Sequence, residues 1–496
     1  MSAPAVGPVR LAAATLAALL AGAVPAAGAD PHGGPKPRFV AFELAATPPA
    51  APGTVCPGSA DCWNNAVEPA IRVDAGGTFY AASENTLFKG TIAAKSEDGG
   101  LHYSSLPSPN ILSQTAETDF APAGGDVDVA TAPLKNAAGF YNVYVASLSL
   151  ADVAVSTSTD GGATWSLNPT GAQVPGDDRE WIAADGERKV CISYHDLATF
   201  NVNVDCSYDA GHTFVQHAVP GAIDAAHAFL LQNNQIGNLA IDPRSHTIYQ
   251  PLVGIASPVE AVCGTTGACR YHAIWMAVST DGGRTFADYP VYIGASDQVG
   301  FNHQFPNVTV DRAGNVYLVY SDDRAVYYSV SRDRGQTWTA PVAISTAPAA
   351  TAIFPWATAG DAGKLDVVYY GSAYADGITP PDRFPSSVEW YVYLAQSLDA
   401  IPPSRDFRQV QVTPTVHRGA VCEGGVSCSG NRDLFDDFGV AASPTTGFAS
   451  IAYTTDQYVP MPGCTPERAN SFSCDHTAIA TQTAGLRIFG RGNRDR

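Results

Sequence analysis

A ring of four-stranded antiparallel blades, the all-β propeller fold, is what this sequence predicts, and three observations predict it. An eight-residue turn motif, S-x-D-x-G-x-T-[W/F], recurs at Ser158–Trp165 (STDGGATW), Ser207–Phe214 (SYDAGHTF), Ser279–Phe286 (STDGGRTF) and Ser331–Trp338 (SRDRGQTW). Around each copy, short segments rich in aromatic and β-branched residues, bounded by Gly, Asp and Asn, follow in the same order, as strands do. Hardly any helical periodicity interrupts them. A unit of about 40 to 60 residues repeating along one chain has the size of a propeller blade, and seven such units can be read here. Six blades with an added hairpin is the alternative count.

Taken in order, the chain opens on Arg10, an apolar run from Leu11 to Val24, and the small-residue exit Ala27-Gly28-Ala29. That order reads as a secretory signal over residues 1–29, and the run is short for a membrane span. Residues 30–66 form an N-terminal extension, 67–490 a single propeller and 491–496 a tail. First strands are expected near Pro69–Val73, Asp126–Ala130, Glu180–Ala184, Ile236–Ile241, Phe354–Ala359 and Phe438–Ala442, with PNVTVD opening blade five. Closure of the ring falls to Arg38–Leu44 pairing into the last blade, or to Leu486–Gly490 alone. Either removes an exposed sheet edge.

The turn motif has a structural meaning. Asp160, Asp209, Asp281 and Asp333 are placed to accept backbone N–H groups across a hairpin, as in Asx-turns. The glycine two places on permits positive φ. These aspartates are therefore expected to hold turns. Ser96–Tyr103 (SEDGGLHY) reads as a decayed fifth copy, and Ser397-Leu398-Asp399 as the stump of a sixth.

Ten cysteines fall into five neighbouring pairs: Cys56/Cys62, Cys191/Cys206, Cys263/Cys269, Cys422/Cys428 and Cys464/Cys474. Without C-x-x-C or Cys/His clusters, disulfides in an oxidising compartment are the expectation rather than zinc. Cys191 and Cys206 stand where a hairpin would set them opposite each other. The formal charge of −19 excludes nucleic acid, which requires a basic footprint, and disfavours anionic membranes.

The repeat also assigns faces. If the motif joins third to fourth strands, it shares one face with the first-to-second turns. The loops entering each blade and the second-to-third loops share the other. Those loops carry Glu68, Asp177-Asp178-Arg179-Glu180-Trp181, Asn302-His303-Gln304, Arg432-Asp433 and Asp436-Asp437 on the entering side. The second-to-third loops carry Glu84, His195-Asp196, Asp322-Asp323-Arg324, Asp382-Arg383, Glu389 and Asp456. Loops on one face of a rigid scaffold are where binding residues concentrate.

The four motif copies are Asp-boxes, and on them the chain resembles the sialidase (neuraminidase) superfamily of BNR-repeat propellers. The resemblance implies a site around the channel on the face away from the boxes. It implies three arginines clamping a substrate carboxylate, a tyrosine nucleophile assisted by glutamate, and an aspartate acid/base. The family's first arginine lies in F/Y-R-I-P entering blade one. Here the stretch is Ala66-Val67-Glu68-Pro69-Ala70-Ile71, with Val67 in the arginine's place.

A replacement triad can be drawn from Arg179, Arg324 and Arg432, with Asp178 and Glu180 beside it and Tyr320 as nucleophile. Arg383, Arg418, Tyr370 and Tyr453 are further candidates. The expected function is a secreted, monomeric propeller that recognises an extracellular glycan or glycoprotein, with exo-sialidase hydrolysis as its enzymatic form. The alternative is a non-catalytic propeller binding a glycan, a protein or a divalent cation. No organic cofactor is implied, and calcium is the ion that the paired aspartates of the loops would suit.

Overall fold

The computed structural model describes residues 36–43, 66–85, 90–110, 123–149, 152–296, 299–301, 305–402, 406–425, 428–436, 438–461 and 463–490. They form seven antiparallel sheets, each a blade; in six of them the strands follow the chain from the channel outwards, and in the seventh the outer strand comes from the N-terminus. The first strands are Val67–Val73, Ala123–Lys135, Asp177–Asp185, Asn234–Ile236 with Ala240–Ile241, Asn307–Val310, Thr351–Ala359 and Gly439–Ala442. All seven line one central cavity of about 280 Å³, reached by Arg72, Thr131, Ala184, Ala240, Thr309, Thr358 and Val440. Blade four departs from the expected Ile236–Ile241: its first strand is broken, and both pieces pair with Ile248–Gly254.

The ring closes through the N-terminus. Arg38–Glu43 adds antiparallel to His476–Ala484 as the outer strand of blade seven, in register from Phe39↔Gln482 to Glu43↔Ala478. One blade thus contains both ends of the propeller, and an edge that would otherwise stand open is paired. The segment Leu486–Gly490 forms no closing strand. Instead Ile488 exchanges backbone hydrogen bonds with Gly447 and Asp361, tying blades seven and six together.

Packing follows from strand alternation. Side chains on opposite faces of each blade meet the neighbouring blades, so that the buried residues form interblade layers such as Tyr317, Tyr328, Tyr369 and Tyr393 between blades five and six.

The boxes behave as turns. Asp281 Oδ1 accepts the N–H groups of Arg284 and Thr285 at 3.0 Å and the Ser279 hydroxyl at 2.8 Å, and its Oδ2 accepts the Thr285 hydroxyl at 2.6 Å. Asp160, Asp209 and Asp333 repeat the serine and threonine contacts of this set. In the decayed copy, Asp98 still accepts from Ser96, Leu101 and His102.

Four disulfides match the neighbouring pairs: Cys191–Cys206, Cys263–Cys269, Cys422–Cys428 and Cys464–Cys474. Cys191 and Cys206 are direct partners across strands two and three of blade three. Cys56 and Cys62 lie outside the described residues, as do Asn302-His303-Gln304 and Asp437. Among the described residues, no helix is long and apolar enough to cross a membrane.

Candidate functional site

Because consecutive strands are antiparallel, the start of every first strand lies at the end of the blade away from its box. A β-bulge recurs at that start. The register breaks between Val67 and Ala70 in blade one, Ala123 and Val127 in blade two, Asp178 and Glu180 in blade three, and Ile353 and Trp356 in blade six. Three of the bulges hold a non-glycine residue with positive φ: Glu68 at 46°, Arg179 at 58° and Phe354 at 51°. Such conformations cost about 1–3 kcal/mol each and gather where a side chain must be re-aimed. Here they bring the side chains of Glu68 and Arg179 together at 3.2 Å, whereas Phe354 packs in the core against Tyr370.

The centre of the mouth is Glu68. Its carboxylate is wholly buried and meets Arg179 at 3.2 Å, Arg432 at 3.3 Å and the Asp436 N–H at 3.2 Å. Arg179 also pairs with Asp126 at 3.3 Å, and Arg432 with Asp436 at 2.7 Å. The Arg179 guanidinium lies over the rings of Trp181 (4.4 Å) and Phe305 (4.8 Å), and Trp181 packs on Trp356 at 5.1 Å. Beneath this belt Arg72 binds Asp128 at 2.6 Å, and Asp128 accepts the Ile182 N–H at 3.0 Å, tying blades one, two and three. Strand starts in blades seven, one, two and three therefore build one charged floor.

Its electrostatics are acidic. Glu68, Glu84, Asp126, Asp178, Glu180 and Asp436 supply six carboxyl groups against the two guanidinium groups of Arg179 and Arg432. Burial, then the nearby charges of Asp126 and Asp436, raise Glu68 well above the carboxylate range, with Arg179 opposing. Burial and Asp126 push Glu84 up to about 8. Glu180 is raised by burial and Asp126, and neither of its buried oxygens meets a hydrogen-bond donor among the described residues. Burial raises Asp178 also, with Asp126 adding to it. Glu68, Glu84 and Asp126 each bring an oxygen within 4.8 Å of the other two.

The structure brings together only part of what the sequence nominated. Arg179 and Arg432 share Glu68, with Asp178 and Glu180 beside them. Arg324 is elsewhere: it lines a cavity of about 750 Å³ with Arg270, Asp322, Thr351 and Pro381, among the loops of blades four to six. Tyr320 is 1% exposed and stacked among Tyr292, Phe301 and Tyr327, a packing position between blades four and five. Tyr370 donates to the Thr454 carbonyl inside the core. Arg418 pairs with Glu389 at 2.6 Å, and Arg383 is largely exposed.

Of the aspartate doublets considered for calcium, Asp177-Asp178 is split between two surroundings. Asp177 faces Asp152, Asp196 and Asp205, whereas Asp178 faces Asp126 and Arg179. The groups that do gather ligand atoms among the described residues are Glu68/Glu84/Asp126, Asp224/His227/Asp288 and His417/Asp433/Asp456.

Sequence reasoning placed Glu68 and Glu84 in site-face loops without a role, and it took Asp126 only as a strand start. The signal for Glu68 stood in the stretch entering blade one: Val67 is buried core, and the next residue is the carboxylate on which two arginines converge.

Fold and boxes together define the class of this protein: a seven-bladed β-propeller with Asp-box turns. No family model matches the chain, and no curated protein matches it. Among solved structures it is similar to a protein of unknown function from Dyadobacter fermentans DSM 18053, at 14% identity and TM-score 0.47, covering 90% of this chain and 99% of that one. It is also similar to the GH93 α-L-arabinofuranosidase of Fusarium graminearum, at 14% identity and TM-score 0.43, covering 67% and 93%. A third is the intramolecular trans-sialidase from Ruminococcus gnavus, at 10% identity and TM-score 0.37, covering 84% and 94%.

Proposed function

We propose that this chain is an exported glycoside hydrolase acting on a neutral glycan, with Glu84 as acid/base and Asp126 as nucleophile. The surplus of carboxyl groups at the channel mouth carries the reading. A site built to clamp a sugar carboxylate needs guanidinium groups with unspent charge. Here Arg179 and Arg432 already face Glu68, Asp126 and Asp436, so both guanidinium groups are spent on the protein's own carboxyl groups before any anionic sugar arrives.

The same carboxyl groups suit hydrolysis. Glu84, pushed up to about 8 by burial and Asp126, keeps its proton at neutral pH and can donate it to a leaving glycosidic oxygen. Asp126 has Arg179 as counter-charge at 3.3 Å and is partly exposed, so it can reach an anomeric carbon. One oxygen of each lies within 4.8 Å of the other, closer than the inverting spacing of about 6.5–9.5 Å that makes room for a water between them. Asp126 would attack the anomeric carbon as Glu84 protonates the departing oxygen. Glu84, now a carboxylate, would then take a proton from the water that releases the glycosyl group. Four disulfides and the residue 1–29 pattern support export.

The test is a panel of fluorogenic glycosides, neutral and sialylated, offered to the purified chain. Turnover of a neutral glycoside with retained anomeric configuration is expected. It should fall about 10³-fold or more in Asp126→Asn and Glu84→Gln. Sialoside turnover that depends on Arg179 and Arg432, with neutral sugars untouched, would overturn the reading. Glycan binding that survives both carboxyl substitutions, without turnover, would establish the non-catalytic alternative.

A further inference from the structure

Far from the channel, where the chain crosses from blade three to blade four, it forms one helical turn, Pro220–Ile223, and a 3-10 segment, Ala225–Leu230. The turn packs against the third strand of blade three, Val202–Ser207, and the outer strand of blade four, Ala287–Ile293. Asp224 stands between the two short elements. Its Oδ1 accepts the Ala226 N–H at 2.9 Å, and its Oδ2 lies 2.9 Å from Nδ1 of His227. The His227 ring is held by Trp275 at 5.0 Å and Phe229 at 5.9 Å.

Opposite them is Asp288, the second residue of the blade-four outer strand. Its side chain is buried, with the residue 3% exposed, and neither carboxylate oxygen accepts a hydrogen bond from the described residues. One ligand atom from each of Asp224, His227 and Asp288 lies within 4.8 Å of the other two. A carboxylate withdrawn from water with no donor is strongly disfavoured, and a second carboxylate beside it makes the position worse. Neither the neighbouring strands nor the turn supplies the missing partner. A bound cation would satisfy Asp288 and share Asp224, whose oxygens already accept from Ala226 and Asp288 and meet the His227 ring.

We propose that Asp224, His227 and Asp288 form a three-ligand site for a zinc-class divalent cation that staples blade three to blade four. The imidazole among three ligands favours such an ion over calcium, which takes six to eight oxygens. Bonds of about 2.0–2.2 Å set tetrahedral ligand atoms about 3.3 Å apart, so the observed spacing needs only a modest contraction of the turn. Asp224 and His227 keep 23% and 25% of their side-chain surface exposed, which leaves an entry path and room for water in the fourth position. Because one ligand pair rides on the crossover and the third on the blade-four edge, the ion would reinforce a junction that the Asp288 N–H, donating to Asp224 Oδ2 at 3.4 Å, already makes.

Zinc alone, titrated calorimetrically into the chelator-treated full chain, tests this, with cobalt as the spectroscopic substitute. One equivalent should bind, give the intense d–d absorption of a low-symmetry site, and raise the melting temperature with zinc concentration. Asp288→Asn and His227→Gln should each weaken binding about 100-fold or more, the share of one ligand in a structural zinc site. His417→Gln, in the separate His417/Asp433/Asp456 group, should leave it unchanged. Asp288→Asn also separates the proposal from a purely structural role. It should leave metal-free stability intact or raised while abolishing the zinc-dependent increment. Absence of stoichiometric zinc in the folded wild-type chain, zinc binding indifferent to Asp288 and His227, or binding lost in His417→Gln would each overturn the site.

Discussion

Glu68 shows how much one side chain can carry in this protein. It is buried, strained at φ 46°, and the shared partner of Arg179 and Arg432. Glu68→Ala would leave two largely buried guanidinium groups without their common acceptor, at a cost of about 3–5 kcal/mol. Urea unfolding should register that loss, and a midpoint equal to wild type would contradict the account. The box aspartates are the opposite case. Asp281 is held near 2: slight burial works to raise it, but donors from Thr285, Ser279 and Arg284 outweigh that. Asp281→Ala should cost about 1 kcal/mol and leave glycoside turnover unchanged, because its turn lies on the other face. A loss of turnover without a loss of stability would place the boxes in the site after all.

At the scale of elements, two devices position the site. The recurrent bulge at the first-strand start re-aims side chains in blades one, two, three and six, and the N-terminal strand closes the ring that holds those blades in place. Removal of residues 1–43 should leave His476–Ala484 as an open edge, lowering the melting temperature and promoting aggregation, whereas removal of residues 1–35 should do neither. Thermal melts with light scattering on the two truncations decide between closure and mere decoration. If both behave alike, the strand is dispensable.

For the whole molecule, the buried carboxyl groups set the response to pH. Glu84 and Asp177 are each pushed up to about 8, mainly by burial. Their folded values lie above the unfolded ones, so their contribution is full below about pH 4 and is lost as pH rises through 8. Asp209 and Asp281, held near 2 by turn donors against a small burial penalty, contribute above about pH 4 and lose that contribution as pH falls through 2. Stability should therefore peak on the acid side, near pH 4 to 5, and decline towards pH 8. Denaturant midpoints measured across that range would contradict this if they rose steadily to pH 8. Glycoside turnover should fall over the same alkaline limb as Glu84 loses its proton, and Glu84→Gln should remove the limb along with the activity.

What the sequence by itself determined was everything that depends on short-range chemistry. The boxes follow from Ser, Asp, Gly and Thr at set offsets, the strands from alternation, and the Cys191–Cys206 bridge from hairpin register. The faces follow from antiparallel order, and even the closing strand was legible as Arg38–Leu44, an unclaimed β segment. The site was legible only in part. Arg179, Arg432, Asp178 and Glu180 could be assigned to one face, yet nothing local could tell that Arg324, on the same face, lines another cavity, or that Tyr320 lies inside an aromatic stack. Those outcomes depend on which blades are neighbours around the ring, and on how far each loop lies from the axis. Only the tertiary structure decided that Glu68 of blade one meets Arg179 of blade three and Arg432 of blade seven, because residues hundreds of positions apart become adjacent when the ring closes. Their charges then shift one another through a low-dielectric floor, an effect that no single segment contains.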